Sequence, residues 1–314
     1  MNPLDLLADA GAWLAAPLEY EFLRRALLVA VVASVVCALL SCWLVLIGWS
    51  LLGDAVSHAV LPGVVLSYIV GVPFAVGALV FGIGAVALIG TVRDTSRLKE
   101  DAAIGVVFTT LFAIGIVLVS VTPSQIDLGH ILFGNMLGIT DTDLWQVVVL
   151  GALTTVVLVL KRRDLTLFAF DPVHAHAVGI SPRRLSALLL GSLALTVVVA
   201  LQAVGVVLVV ALVITPGATA YLLVDRMSRM LVVAPLVAVG CAVVGIYASY
   251  YLDTASAATI VVAQGAVFAV AYVRHLARRP RVGRPAAPTA ERASVERVAG
   301  GAGGPRPAGA REIE

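Results

Sequence analysis

Asp54 and His58 stand four residues apart in the stretch Gly53-Asp54-Ala55-Val56-Ser57-His58-Ala59-Val60-Leu61-Pro62-Gly63. On a helix that spacing places both side chains on one face, one turn apart. A carboxylate and an imidazole sharing a face supply half of the donor set that a divalent transition metal accepts. The surroundings sharpen the point. Between Ala26 and Val92, Asp54 is the only acid and His58 the only histidine, and there is no Lys or Arg. An ionisable group inside a membrane span is costly and calls for a functional reason. The structural alternative is that Asp54 caps a helix starting near Ala55 and His58 packs against a neighbour.

The 314 residues are 61% hydrophobic and 13% charged, with a mean hydropathy of +1.04. A soluble chain needs a charged surface that these residues cannot build. The fold class is therefore all-α, a polytopic transmembrane helical bundle. The first apolar run follows Arg24 and Arg25. It is too long for a signal-peptide core and lacks a small-residue cleavage site, so it reads as a span. Cys37, Cys42 and Cys241 lie in apolar runs without Cys-x-x-Cys spacing. They read as buried free thiols rather than soft-metal or redox sites. Neither lysine, Lys99 or Lys161, follows the glycine-rich loop that cradles phosphates. The chain is thus not expected to be an enzyme, and any ATP-driven step belongs to another polypeptide.

Residues 1–24 read as an N-terminal interfacial segment and 25–275 as the transmembrane domain. Residues 276–314 form an Arg/Pro/Gly/Ala-rich tail that cannot bury a core and is expected to be disordered and cytoplasmic. Apolar runs near 26–48, 55–70, 74–92, 103–121, 144–160, 185–200, 203–223, 230–250 and 255–273 predict eight or nine spans. The segments 93–101, 161–184 and 225–229 carry the internal basic residues, whereas 122–142 and 251–254 carry none. That alternation puts the basic loops in the cytoplasm and 122–142 outside. The first span's direction stays open, because Arg24 and Arg25 pull against the count of spans. Within 122–142, residues 128–137 suit a short re-entrant or interfacial helix. His130 there reads as a metal contact at the entrance or as a loop hydrogen-bonding group.

Two further segments could act. In 161–184, Asp171-Pro172 is a helix start and Gly179 a stop. A short helix between spans is what a groove in a soluble partner could hold. His174 and His176, two apart, diverge on that helix. Pro216 lies inside a span, where it frees a carbonyl and kinks the helix; beside a pathway it is also a gate candidate.

Three blocks together carry a resemblance. They are Ser50-Leu51-Leu52 continuing through Gly63, His130-Ile131-Leu132-Phe133-Gly134-Asn135, and Ile214-Thr215-Pro216-Gly217-Ala218-Thr219-Ala220. In order, over residues 20–275, they resemble the integral-membrane permease of the bacterial manganese/zinc/iron ABC uptake transporters. The His130 block and Asp141-Thr142-Asp143 resemble the manganese branch more than the zinc branch. Ile47 and Thr215 depart from the residues common in the family. The resemblance implies a homodimeric permease in the bacterial plasma membrane, cytoplasmic ATPase subunits and an external solute-binding protein. It implies Mn²⁺ as cargo, with Zn²⁺ or Fe²⁺ as alternatives, no permanent cofactor and no nucleic-acid partner. It also implies that Asp54 and His58 belong to a coordination site on the translocation path, and that 171–182 includes the helix that couples to the ATPase. Two rivals remain. A permease for a metal chelate of siderophore or cobalamin type would want a wider, more aromatic path, and only 6% of residues are aromatic. An ion-coupled secondary metal transporter would need acids and bases in its spans, which offer almost none beyond Asp54.

Overall fold

The computed structural model describes residues 16–122 and 138–278, and every regular element among them is helical. His130, the proposed helix at 128–137, residues 1–15 and residues 279–314 lie outside the described residues. By its internal contacts the chain divides after His275. The account below concerns the first unit; of the second, only 276–278, which end the last helix, are described.

After a short 3₁₀ turn at Ala16–Glu19, helix α1 runs over Glu21–Ile47, followed by α2 (Ser50–Ala59), α3 (Leu61–Val70), α4 (Phe74–Thr95) and α5 (Glu100–Val121). Past the undescribed segment come α6 (Asp141–Leu160), two short helices α7 (Arg162–Phe170) and α8 (Pro172–Ala177), then α9 (Pro182–Val204), α10 (Val206–Leu223), α11 (Met227–Leu252) and α12 (Ser256–Arg278). Counting α2 and α3 as one broken span, nine of these helical stretches are long and apolar enough to cross a membrane. Local chemistry sets several of the ends. Thr140 and Asp143 form a reciprocal capping box at the start of α6, each side chain accepting from the other's backbone N–H at 3.2 Å. Pro62, early in α3, has no N–H to give the His58 carbonyl, and the helix breaks at Val60 between α2 and α3.

α1 is the centre of the bundle. It packs against α6, α9, α10 and α11, and its Leu40, Trp43 and Leu44 are fully buried. It is apolar on all sides, which suits a helix surrounded by others. Small residues set several close crossings. A Cβ on Gly217 of α10 would stand 2.6 Å from the Ser41 carbonyl oxygen of α1, and one on Gly245 of α11 would stand 2.6 Å from Ile260 Cα of α12. Pro216 is buried beside the first of these contacts, and α10 runs through it without ending.

The direction of α1 follows from contacts across the bundle. Arg25 pairs with Asp141 at 2.9 Å, and the Tyr20 ring lies 6.0 Å from that of Tyr250. The start of α1 therefore sits with the start of α6 and the end of α11. That side is where α5 ends and α6 begins. Every basic internal loop falls on the opposite side, which the positive-inside rule makes cytoplasmic. Arg25 is held by Glu21 as well as Asp141, so contacts within the bundle place it on this side against its pull towards the cytoplasm.

The glycine contacts give a direct test. Gly217→Ala is expected to destabilise the permease by about 1–3 kcal/mol, because backbone cannot yield as a side chain can. Gly84, whose added Cβ meets nothing within 4 Å, should accept Ala with no loss, or with a gain of up to about 1 kcal/mol from helix propensity. Thermal unfolding of the two variants in detergent measures the difference.

Candidate functional site

Asp54 and His58 both lie inside α2, which begins at Ser50 with Trp49 at its cap. Asp54 is therefore no helix cap. His58 Nε2 stands 3.4 Å from Asp54 Oδ1, and their side chains are 25% and 34% exposed. That separation is long for a hydrogen bond. It matches the spacing of two ligands on one ion. Donor atoms about 2.1 Å from a shared metal lie roughly 3.0 Å apart in an octahedron and roughly 3.4 Å apart in a tetrahedron.

The opposite face of α2 is built to be buried. Leu52, Gly53, Ala55, Val56 and Ala59 are all buried. Gly53 lies so close to α10 that a Cβ there would stand 2.6 Å from Val213 Cγ1. The Ser57 hydroxyl donates to the Gly53 carbonyl at 2.8 Å, so it is satisfied within its own helix. Sequence reasoning missed what flanks His58. From the middle of α5, Phe112 meets the imidazole edge to face at a centroid distance of 5.0 Å, and Phe108 lies at 5.9 Å. These rings pack against the imidazole from the α5 side. Among the described residues, no cluster of three or more His, Cys, Asp or Glu could hold a metal ion. The pair thus offers two side-chain donors, short of the four or more that a transition metal takes.

The other candidates lie apart from this pair. Asp171 Oδ1 accepts the His174 N–H at 2.8 Å, capping α8, and Pro172 is the first residue of that helix. Gly179 closes it at φ +84°, a left-handed conformation that favours glycine; the Ile180 N–H then reaches the Ala175 carbonyl at 3.0 Å. Ala175 is buried, whereas Phe170, Val173 and Val178 around α8 are exposed at 64%, 78% and 53%. His174 and His176 are exposed as well. α8 therefore presents a small apolar surface on the cytoplasmic side. Pro216 lies in α10, three residues beyond the Val213 that Gly53 touches. Cys37, Cys42 and Cys241 are free and buried.

The sequence pattern of the ABC 3 transport family matches residues 19–275. The chain belongs to this family. The manganese transport system membrane protein MntB of Synechocystis is 49% identical over 273 residues, covering 87% of this chain and 89% of that one. The chelated iron transport system membrane protein YfeD of Yersinia pestis is 45% identical over 284 residues, covering 90% and 95%. Among solved structures, PsaBC from Streptococcus pneumoniae in complex with Fab superposes with a TM-score of 0.76 at 36% identity, covering 84% of this chain and 95% of that one. With its nine apolar helical stretches, this ABC 3 family member is a multi-pass permease of the bacterial plasma membrane.

The aromatic flank is open to measurement. In histidine-selective NMR, Phe112→Ala should shift and broaden the His58 ring signals, because the imidazole gains freedom to rotate. The His174 and His176 signals should stay in place, since both rings are already exposed.

Proposed function

We propose that this permease carries divalent transition-metal ions into the cytoplasm, with Mn²⁺ as its principal cargo and Zn²⁺ or Fe²⁺ as alternatives. The observation that carries the reading is the Asp54–His58 pair, two metal-competent donors 3.4 Å apart in an otherwise uncharged span. The name of the 49%-identical Synechocystis relative, a manganese transport system membrane protein, supports manganese. Asp54 would offset the charge of a partly dehydrated cation, and neutral His58 would supply a nitrogen ligand. Water, backbone oxygens or donors from a second copy of the chain would complete the shell. A sparse protein ligand set suits a conduit, which must release what it binds.

The working assembly in this reading is a homodimer of residues 25–275. A separate ATPase subunit meets α8 from the cytoplasm, where Asp171, Pro172 and Gly179 fix the shape of the docking helix. A metal-binding protein delivers the ion from outside. The buried Pro216 is a candidate element of the gate. A second reading, transport of chelated iron, has the support of the 45%-identical Yersinia relative's name.

Whole-cell metal content of a deletion strain in metal-poor medium tests these readings. Wild type should restore manganese. Asp54→Ala and His58→Ala should reach the membrane at normal levels and lower uptake by about 10- to 100-fold or more, since even outer-shell partners of a metal ligand are worth roughly that much. Normal uptake by both variants would remove the pair from the pathway. Recovery of iron alone, and only from a chelate, would favour the second reading.

A further inference from the structure

A line of side-chain contacts joins α7 and α8 to the two helices that grip His58. Phe168, in the last turn of α7, packs edge to face on Trp49 with centroids 6.3 Å apart. Trp49 is the cap residue of α2, and its carbonyl accepts the Leu52 N–H at 3.1 Å. The Arg93 guanidinium, from the last turn of α4, lies over the same indole at 5.5 Å. Arg93 also pairs with Glu100 Oε1 at 3.1 Å, and Glu100 is the first residue of α5. The cytoplasmic ends of α2, α4 and α5 thus meet around Trp49 and Arg93. Further along α2 stand Asp54 and His58. Further along α5 stand Phe108 and Phe112, which flank His58.

The contacts at the other end are equally specific. Only Asp171 separates α7 from α8, and its N–H bonds the Leu167 carbonyl at 2.9 Å. The two short helices are thereby linked through one hydrogen-bonded residue. Leu165 and Phe168 of α7 are buried, so α7 is seated on the bundle. Beside the junction lies a cavity of about 830 Å³, lined among others by Trp49, Arg93, Glu100, Phe168 and Pro172. Close-packed side chains shift between discrete arrangements rather than deforming continuously, and both the indole and the guanidinium border this space.

We propose that Trp49 and Arg93 are positioning residues that transmit movement of α8 to the Asp54–His58 pair. A shift of α8 displaces Phe168 and hence Trp49, which moves the start of α2. Through Arg93 and Glu100 the same shift moves the start of α5. Asp54 is on the first helix and the aromatic flank of His58 on the second, so the movement changes how the two donors face each other. The inference rests on the reading that α8 meets an ATPase.

The test uses the whole transporter, permease with its ATPase and binding protein, in proteoliposomes, with Mn²⁺ as probe. ATP hydrolysis and Mn²⁺ entry are measured together. Trp49→Ala and Arg93→Gln should hydrolyse ATP normally yet import about 2- to 30-fold less Mn²⁺ per ATP, the range that substitutions along a coupling route produce. Trp49→Phe keeps a ring for Phe168 and Arg93 and should restore most of the ratio. The double exchange Arg93→Glu with Glu100→Arg should recover more of it than Arg93→Glu alone. An unchanged ratio in Trp49→Ala and Arg93→Gln, or parallel loss of hydrolysis and transport in every variant, would overturn the relay while leaving the metal-uptake reading intact. Wild type that imports neither Mn²⁺, Fe²⁺ nor Zn²⁺ would overturn that reading and the relay with it.

Discussion

A carboxylate and an imidazole kept side by side within a span are the demand around which this bundle is arranged. Taking a charged or strongly polar group out of water is costly, and the backbone that carries it must bond to itself. α2 meets the second condition by remaining helical from Ser50 past Asp54 and His58. It meets the first by division of labour. Gly53, Ala55, Ser57 and Ala59 let the rest of the helix lie close to its neighbours, so that the side bearing Asp54 and His58 stays partly accessible. Val213 against Gly53 fixes the helix from one side, and Phe108 and Phe112 pack against the imidazole from another. Pro62 breaks the span just beyond His58, which allows α3 its own course towards the crossing where Gly77 donates its N–H to Ser67 Oγ at 3.1 Å.

Much of this was legible in the sequence. Apolar runs gave the spans, because lipid tolerates little else. The four-residue interval between Asp54 and His58 puts them on one face of a helix. Asp171-Pro172 and Gly179 bounded α8 through their local conformational preferences. What escaped notice was tertiary. Phe108 and Phe112 sit in an apolar helix with no periodicity to mark them, and their role arises only from the meeting of α5 with α2. α2 starts at Ser50 rather than near Ala55, and Gly53 is a contact residue inside it, against Val213 of α10. The direction of α1 was ambiguous because a count of Arg24 and Arg25 cannot know that Arg25 is paired with Asp141 from far along the chain.

The Asp54–His58 stretch of α2 and the cytoplasmic helix ends beside it are unequal in what they offer. The pair at Asp54 and His58 offers one hard and one borderline donor, too few for tight capture of a metal ion. The cytoplasmic ends of the helices, by contrast, are rich in directional contacts: a cation over an indole, an ion pair, edge-to-face rings and a capped short helix. Geometry is fixed most firmly where a partner would push.

The link between α9 and α10 has a kinematic meaning. Gly205 alone joins them, at φ +82° and ψ 165°, a conformation essentially reserved for glycine. A tether of one residue has no slack, so the outer ends of these two helices cannot part and the pair swings as a single hairpin. An inhibitor aimed at freezing the molecule would accordingly gain nothing by clamping a joint that is already shut.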